Sequence, residues 1–427
     1  MRIAKLTREN LQQFLRRRAK RDDEALRLAS QIAHDVRKRG DAALLSWSRK
    51  FDGGPSLPQD IWVSERERQA ATKGNSRELL SALIQAAKNI RRVAEQQRPR
   101  AWEIEVERGV RVRQRVLPIE SVGCYIPGGR HSLVSTLLMT VIPAQVAGVP
   151  RIMVACPKPG AAVLAAAEML GITEIARIGG AQAIAAMAYG TETVVRVEKI
   201  CGPGNRWVDA AKRVVSFDCS VDLPAGPTEL LVVAESGDPD FIAADMVAQA
   251  EHDVDAVGVL VTTSEGLARK VDAAIENQLA WLPGGNPARK ALARPGTILI
   301  ARNREAALDY ANRFAAEHVS LPDGAKLLRG IRSAGSIFIG PWSAQSFGDY
   351  VSGTNHVLPT GGWAASRGGL STADFVKSVT VQEVTRVGMR IGPAARQLAR
   401  AENLIAHERA VSVREESMQN SSRGARA

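Results

Sequence analysis

Histidine is scarce in this chain, six residues in 427, and several other side chains that advertise a function are scarce as well. Aromatic residues make up only 4% of the sequence and are not interleaved with its basic runs, which argues against a surface that stacks on bases. The four cysteines, Cys124, Cys156, Cys201 and Cys219, show no Cys-x-x-Cys spacing. That removes the basis for a thiolate zinc site or a disulfide framework, and reduced thiols are expected. No stretch approaches the ~20 uninterrupted apolar residues of a membrane span, and no apolar run follows the first eight residues. A soluble, cytoplasmic protein with no membrane partner is the expectation. A complete Gly-x-Gly-x-x-Gly is also missing, so the dinucleotide fingerprint fails as a pattern.

What is abundant is charge and ordinary apolar content. The net charge is +12, yet the densest basic run, Arg16 to Arg21, is followed at once by Asp22-Asp23-Glu24. The excess therefore reads as a solvated basic surface, with no nucleic-acid partner. At 45% apolar and 24% charged, 427 residues exceed what one hydrophobic core organises, so two or more domains are expected.

Periodicity divides the chain. Apolar positions at helical spacing run from Leu6 to Lys38 and from Ser76 to Gln97, and the alternating segment from Trp102 to Val116 reads as two strands around a turn at Arg108-Gly109. Short apolar strands over 121–126, 151–155, 174–178 and 229–234 then alternate with Ala-rich helices. A second series follows: helix 239–251, strand 258–263, helix 266–279, strand 297–301, helix 304–316 and strand 336–339. Such alternation predicts βαβ units, and hence an α/β protein with two Rossmann-like doubly wound domains, an N-terminal helical segment and a C-terminal helical arm from Asp374 to Arg409. The tail from Glu415 to Ala427 is small and polar and is expected to be disordered.

Three glycine-rich loops stand next to these elements: Gly123 to Arg130, Gly179-Gly180-Ala-Gln182, and Gly202-Pro-Gly204-Asn205. Such loops let backbone amides approach a phosphate, although ordinary tight turns account for them equally well. The histidines are more informative, because four of the six stand near acids or amides in polar segments. Gln249 and His252 are three apart, one helical face, the spacing by which a helix offers two ligands to one ion. Glu317-His318 at the end of a helix suits proton transfer better than joint ligation, since adjacent helical residues point about 100° apart. The glycine-punctuated stretch Gly348 to Thr360 carries Asp349, a hard oxygen ligand, together with His356. Glu402 and His407, five apart, imply two separate contacts or a bend between them.

Taken in order, Val221-Asp222-Leu-Pro-Ala225-Gly226-Pro227-Thr228-Glu229, Gln249-Ala-Glu-His252, Tyr125-Ile-Pro-Gly-Gly, Gly180-Ala-Gln182, Gly202-Pro-Gly-Asn205, Ala316-Glu317-His318 and Ser352-Gly-Thr-Asn-His356-Val-Leu-Pro-Thr resemble the motifs of the histidinol dehydrogenase family over nearly the whole chain. The resemblance implies oxidation of L-histidinol to L-histidine through histidinal with two NAD⁺, the last step of histidine biosynthesis. It implies one Zn²⁺ per subunit, held by Gln249, His252, Asp349 and, from the second subunit of a homodimer with shared active sites, His407. Thr228, Gln249, His252, His318, Asp349, His356, Glu402 and His407 would surround the substrate. Tyr125, Gln182 and Asn205 would line the NAD groove, His318 would be the general base, and Glu317 would activate the water that attacks the aldehyde. The division expected is 1–20 as an N-terminal segment, 21–124 with 229–373 as the metal and substrate domain, 125–228 as the NAD domain, and 374–427 as a dimerisation arm.

The residue types suit that chemistry: a neutral histidine near its ordinary pKa of ~6.5 removes the hydroxyl proton as hydride leaves, and a neighbouring carboxylate serves the second oxidation. Gly123-Cys124-Tyr125, Arg130-His131 and Glu402-Asn403 depart from the family's commonest pattern. A related zinc- and NAD-dependent dehydrogenase acting on another small polar alcohol, such as a sulfonated diol, is the alternative enzyme. A nucleotide- or RNA-binding homologue without activity would have no reason to keep Glu317, His318 and four ligands.

Overall fold

The computed structural model describes residues 2–7, 9, 11, 12, 15, 22–128, 133–223 and 226–424. The basic cluster Arg16–Arg21, half of the expected segment 1–20, Arg130, His131 and Ala225 lie outside the described residues. The chain forms two compact units, Met1–Arg98 with Ile119–Phe375, and Pro99–Pro118 with Val376–Ala427.

The first unit contains two parallel sheets, as an α/β pattern requires. Its strands are β1 (Ile3–Lys5), β4 (Ser121–Tyr125), β5 (Arg151–Ala155), β6 (Glu174–Ala176), β7 (Lys199–Cys201), β8 (Ser220–Val221), β9 (Glu229–Val233), β10 (Val257–Thr262), β11 (Ile298–Ile300), β12 (His318–Leu321) and β13 (Ser336–Ile339). One sheet has the order β1-β11-β10-β9-β12-β13, the other β6-β5-β4-β7-β8. Parallel strands are covered on both faces and so read as continuous apolar runs; β4 and β9 are buried at every position. Along β9, Leu230 and Val232 pack with Ile242 and Met246 on one side, while Leu231 and Val233 meet Tyr310 and Phe314 on the other.

The five-stranded sheet is wound outward from its centre, through β5 and β6 on one side and β7 and β8 on the other. The loops after β4 and β7 therefore diverge, and such a crevice at the carboxyl ends of strands is where open α/β sheets bind ligands. Gly202, just after β7, holds φ +115°, and a Cβ there would fall 2.2 Å from the carbonyl oxygen of Tyr125, so no other residue fits. The helix Asp23–Asp52 covers this sheet's helices through Ala25, Ala29, Ile32 and Val36.

The second unit is a three-stranded antiparallel sheet, β14-β3-β2, with β2 (Trp102–Glu107) and β3 (Val110–Pro118) turning at Gly109. Its third strand, β14 (Val376–Val384), corrects the expectation of a helical arm beginning at Asp374. Val376, Val379, Val381 and Val384 are β-branched, and each strand residue pairs with β3 in unbroken register from Val376↔Pro118 to Val384↔Val110. Helices follow at Gly392–Ala401 and Ile405–Gly424, separated by a bend at Asn403, φ +57°. The tail expected to be disordered is thus helical through Gly424, with Glu415 and Glu416 paired to Arg396 and Arg409.

Candidate active site

The expected helix through Ala316 ends early, and this decides the geometry of the site. Its last residue is Phe314, Ala315 turns left-handed at φ +48°, and His318 opens β12 between β9 and β13. Glu317 and His318 are consequently not a frayed helix end on the surface. Both are buried, His318 at the start of an interior strand and Glu317 just before it.

The Glu317 carboxylate is held at one oxygen by two donors, the Thr228 hydroxyl at 2.5 Å and the Glu229 backbone N–H at 2.8 Å. Thr228 in turn accepts a hydrogen bond from the Gln249 amide. Burial raises the pKa of Glu317 against the opposing pull of His318 and of these hydrogen bonds. The His318 ring is pinned at the other side: Nδ1 lies 3.2 Å from the Glu229 carbonyl, which only accepts, so Nδ1 donates. That leaves Nε2 facing Asp349 Oδ1 at 3.4 Å. Burial works against a charge on His318, but Glu317 and Asp349 outweigh it and lift the pKa to about 9. The sequence-based expectation of an imidazole near its ordinary value is corrected by this placement between two carboxylates.

Asp349 sits on the short helix Gln345–Tyr350. Burial would raise its pKa, yet His318, with His356 and His252, holds it below the usual carboxylate range. His356 donates from Nδ1 to the Asp349 carbonyl at 2.9 Å and accepts at Nε2 from the Thr136 hydroxyl at 3.1 Å, and burial lowers its pKa. Both its nitrogens are thus committed within the protein, and it supports the backbone that carries Asp349.

Gln249 and His252 do not share a helical face. The helix, capped by Asp238 and opened by Pro239, ends at Ala250, so Gln249 is fully buried while His252 is exposed just beyond the end. His252 still acts on the charges of Asp349 and His356, which places it by them. A divalent cation fits this donor set on one specific observation: Gln249 Oε1 is buried without a hydrogen-bond partner, an acceptor left for something that is not a protein donor. Among the described residues no three His, Cys, Asp or Glu close into a cluster, so the donor set of the first unit needs the Gln249 amide and is short of a full tetrahedral complement. Glu402 and His407 belong to the second unit, both exposed, on either side of the bend at Asn403.

The three residues expected at the nucleotide groove lie at the carboxyl ends of the five-stranded sheet. Tyr125 closes β4 and its hydroxyl accepts from Gly180 N–H at 3.1 Å. Gln182, in the first turn of the helix Gly180–Tyr189, donates to Asp52 at 2.6 Å. Asn205 caps the helix Arg206–Val215 by accepting from Trp207 and Val208 N–H. Beneath the loop, the buried Lys212–Asp222 ion pair grips both polar groups of Gly202, with Lys212 donating to its carbonyl and Asp222 accepting from its N–H, each at 2.8 Å.

Residues 15–415 match the family model described as histidinol dehydrogenase. The chain belongs to the histidinol dehydrogenase family. It is 44% identical over 417 residues to the histidinol dehydrogenase of Methanothermobacter thermautotrophicus, covering 95% of this chain and 97% of that one. Among solved structures, a histidinol dehydrogenase from Elizabethkingia anophelis superposes with a TM-score of 0.91 at 38% identity, covering 98% of this chain and 99% of that one. The chain also spans 49% of a longer protein of Photorhabdus laumondii, named for a bifunctional role in histidine biosynthesis, at 44% identity.

Within the family framework, four residues of this neighbourhood had no signal in the local sequence. Asp52, Thr136, Lys212 and Asp222 touch Gln182, His356 and Gly202 only through tertiary folding. Of these, only Asp222 lay within a motif quoted from the sequence, Val221 to Glu229, and no role was assigned to it there. As a member of this family the chain is an oxidoreductase, and no helix among its described residues is long and apolar enough to cross a membrane.

Proposed function

We propose that this protein oxidises L-histidinol to L-histidine through histidinal, with two NAD⁺ and one Zn²⁺, as the closing step of histidine biosynthesis. The observation that carries the proposal is the buried chain of contacts Gln249–Thr228–Glu317, with His318 set between Glu317 and Asp349. Gln249, His252 and Asp349 are the groups that would hold the metal, and His407 of a second copy would complete the coordination in a homodimer. Thr228, His356 and Glu402 would complete the substrate pocket. Zinc, when bound, supplies a fixed positive charge that seats the amine and imidazole of the substrate and takes up the charge of Asp349, so the pull keeping a proton on His318 weakens.

His318 then acts through Nε2, because Nδ1 is spent on the Glu229 carbonyl. That nitrogen takes the alcohol proton as hydride departs. Tyr125, Gln182 and Asn205 would hold NAD⁺, which would supply the hydride acceptor for each oxidation. Glu317 works in the second half. A carboxylate whose pKa is raised by burial gains from accepting a proton, so it draws one from the water that adds to the aldehyde, and His318 beside it shares the proton. Thr136 links the two functions physically, since its helix Val134–Ala147 follows the nucleotide loop and its hydroxyl reaches His356.

Turnover stoichiometry tests the reading. Two NADH per L-histidinol consumed, with histidine as product, is the expected result. One NADH with an aldehyde released, or oxidation of another small polar alcohol but not of histidinol, would overturn it.

A further inference from the structure

We propose that Asp52 is a positioning residue for the dinucleotide: it fixes the amide of Gln182 so that this side chain meets the ligand through its carbonyl oxygen. The inference rests on the reading that NAD⁺ binds along Tyr125, Gln182 and Asn205.

Asp52 is the last residue of the helix Asp23–Asp52, far from Gln182 in sequence, and its Oδ2 accepts a 2.6 Å hydrogen bond from Gln182 Nε2. A carboxylate only accepts, so the nitrogen of the amide must face Asp52 and the oxygen must face the other way. That oxygen lies on the side of Gly180, 2.8 Å from where a Cβ of residue 180 would stand, which only a glycine permits. Gln182 is 1% exposed, so this bond is shielded from water.

The same carboxylate determines what kind of ligand atom is accepted. Asp52 Oδ2 lies 3.2 Å from a Cβ built on Gly179, the residue capping the helix Gly180–Tyr189. The Gly180 N–H is already taken by the Tyr125 hydroxyl. A helix start with a negative side chain beside it and its first N–H occupied is a poor seat for phosphate, despite its glycines. Gln182 therefore recognises an uncharged donor, a ribose hydroxyl or a carboxamide N–H, and the pyrophosphate lies elsewhere in the crevice. Without Asp52 the amide is free to flip, and half of its orientations present N–H to a donor.

Calorimetric titration of the zinc-loaded enzyme with NAD⁺ tests this on Asp52→Ala, Gln182→Leu and the double variant. Asp52→Ala is expected to raise the Kd for NAD⁺ at least about twofold, because only half of the amide orientations stay competent to bind. In the Gln182→Leu background the same change should add little, because Asp52 acts through Gln182. The Kd for L-histidinol should stay at the wild-type value, which a merely structural role would not allow. An unchanged Kd for NAD⁺, an equal effect in both backgrounds, or a parallel loss of histidinol binding would overturn the proposal. If the alanine variant does not fold, Asp52→Leu replaces it; it is close in shape and has no acceptor for Gln182, and a Kd for NAD⁺ equal to wild type would overturn the proposal as well. Failure of the wild-type enzyme to bind NAD⁺ would sink the functional reading first and this inference with it.

Discussion

Lys212→Met should destabilise the protein far more than a single hydrogen bond would suggest. The ammonium is 3% exposed and its partner Asp222 0%, so neither charge has water to fall back on. Removing Lys212 leaves Asp222 Oδ1 with no partner among the described residues and costs the Gly202 carbonyl its buried donor. Breaking a buried pair from one side costs about 3–5 kcal/mol, most of it for the charge left behind. Asp222→Asn should cost a similar amount for the mirror reason, with the ammonium left to the Gly202 carbonyl alone. The double variant Lys212→Met/Asp222→Asn buries no charge and keeps an acceptor for Gly202 N–H, so it should recover much of the loss and end within about 2 kcal/mol of wild type. Urea unfolding of the four proteins at one pH measures the coupling. Strictly additive losses in the double variant would refute the claim that two desolvated charges hold the Gly202 loop.

Gln249→Ala removes a buried acceptor that has no protein donor, so the purified variant should carry well under half the zinc of wild type by elemental analysis; full occupancy would remove Gln249 from the ligand set. Asp245 should carry a pH signature of its own. Burial raises its pKa to about 6, above its unfolded value of ~3.9, so the folded state is penalised at neutral pH and the penalty disappears as pH falls from about 6 to 4. Asp245→Asn should therefore be the more stable protein at pH 7.5, by about 1–2 kcal/mol after allowance for partial exposure, with the gap closing toward pH 4. A gap independent of pH in denaturant titrations would contradict the assignment.

Legibility in the sequence followed how local each signal was. β9 and β10 are uninterrupted apolar runs, and their positions were readable within a residue or two because parallel burial on both faces leaves no other pattern. The helix before Gln249 was readable from Asp238 and Pro239. Its end was read within one residue, Glu251 against Ala250, yet His252 stands beyond that end and off the face that carries Gln249. The Glu317-His318 strand was missed because Ala315-Ala316 continues a helical composition, although His-Val-Ser-Leu alternates at period two. β14 was missed because the residues that make it a strand sit on β3, more than 250 positions earlier. Tyr125, Gln182 and Asn205 were readable as motif positions, but the side chains that orient them come from other elements.

The central claim is that Glu317 and His318, buried side by side where β12 begins, divide two oxidations between them. Glu317→Gln tests it most directly, because the amide keeps the shape and can still bond Thr228 and Glu229 but takes no proton from water. In a single turnover with excess NAD⁺ the variant should yield close to one NADH per L-histidinol, with the aldehyde trapped by a hydrazine reagent. Two NADH at a wild-type rate would contradict the account.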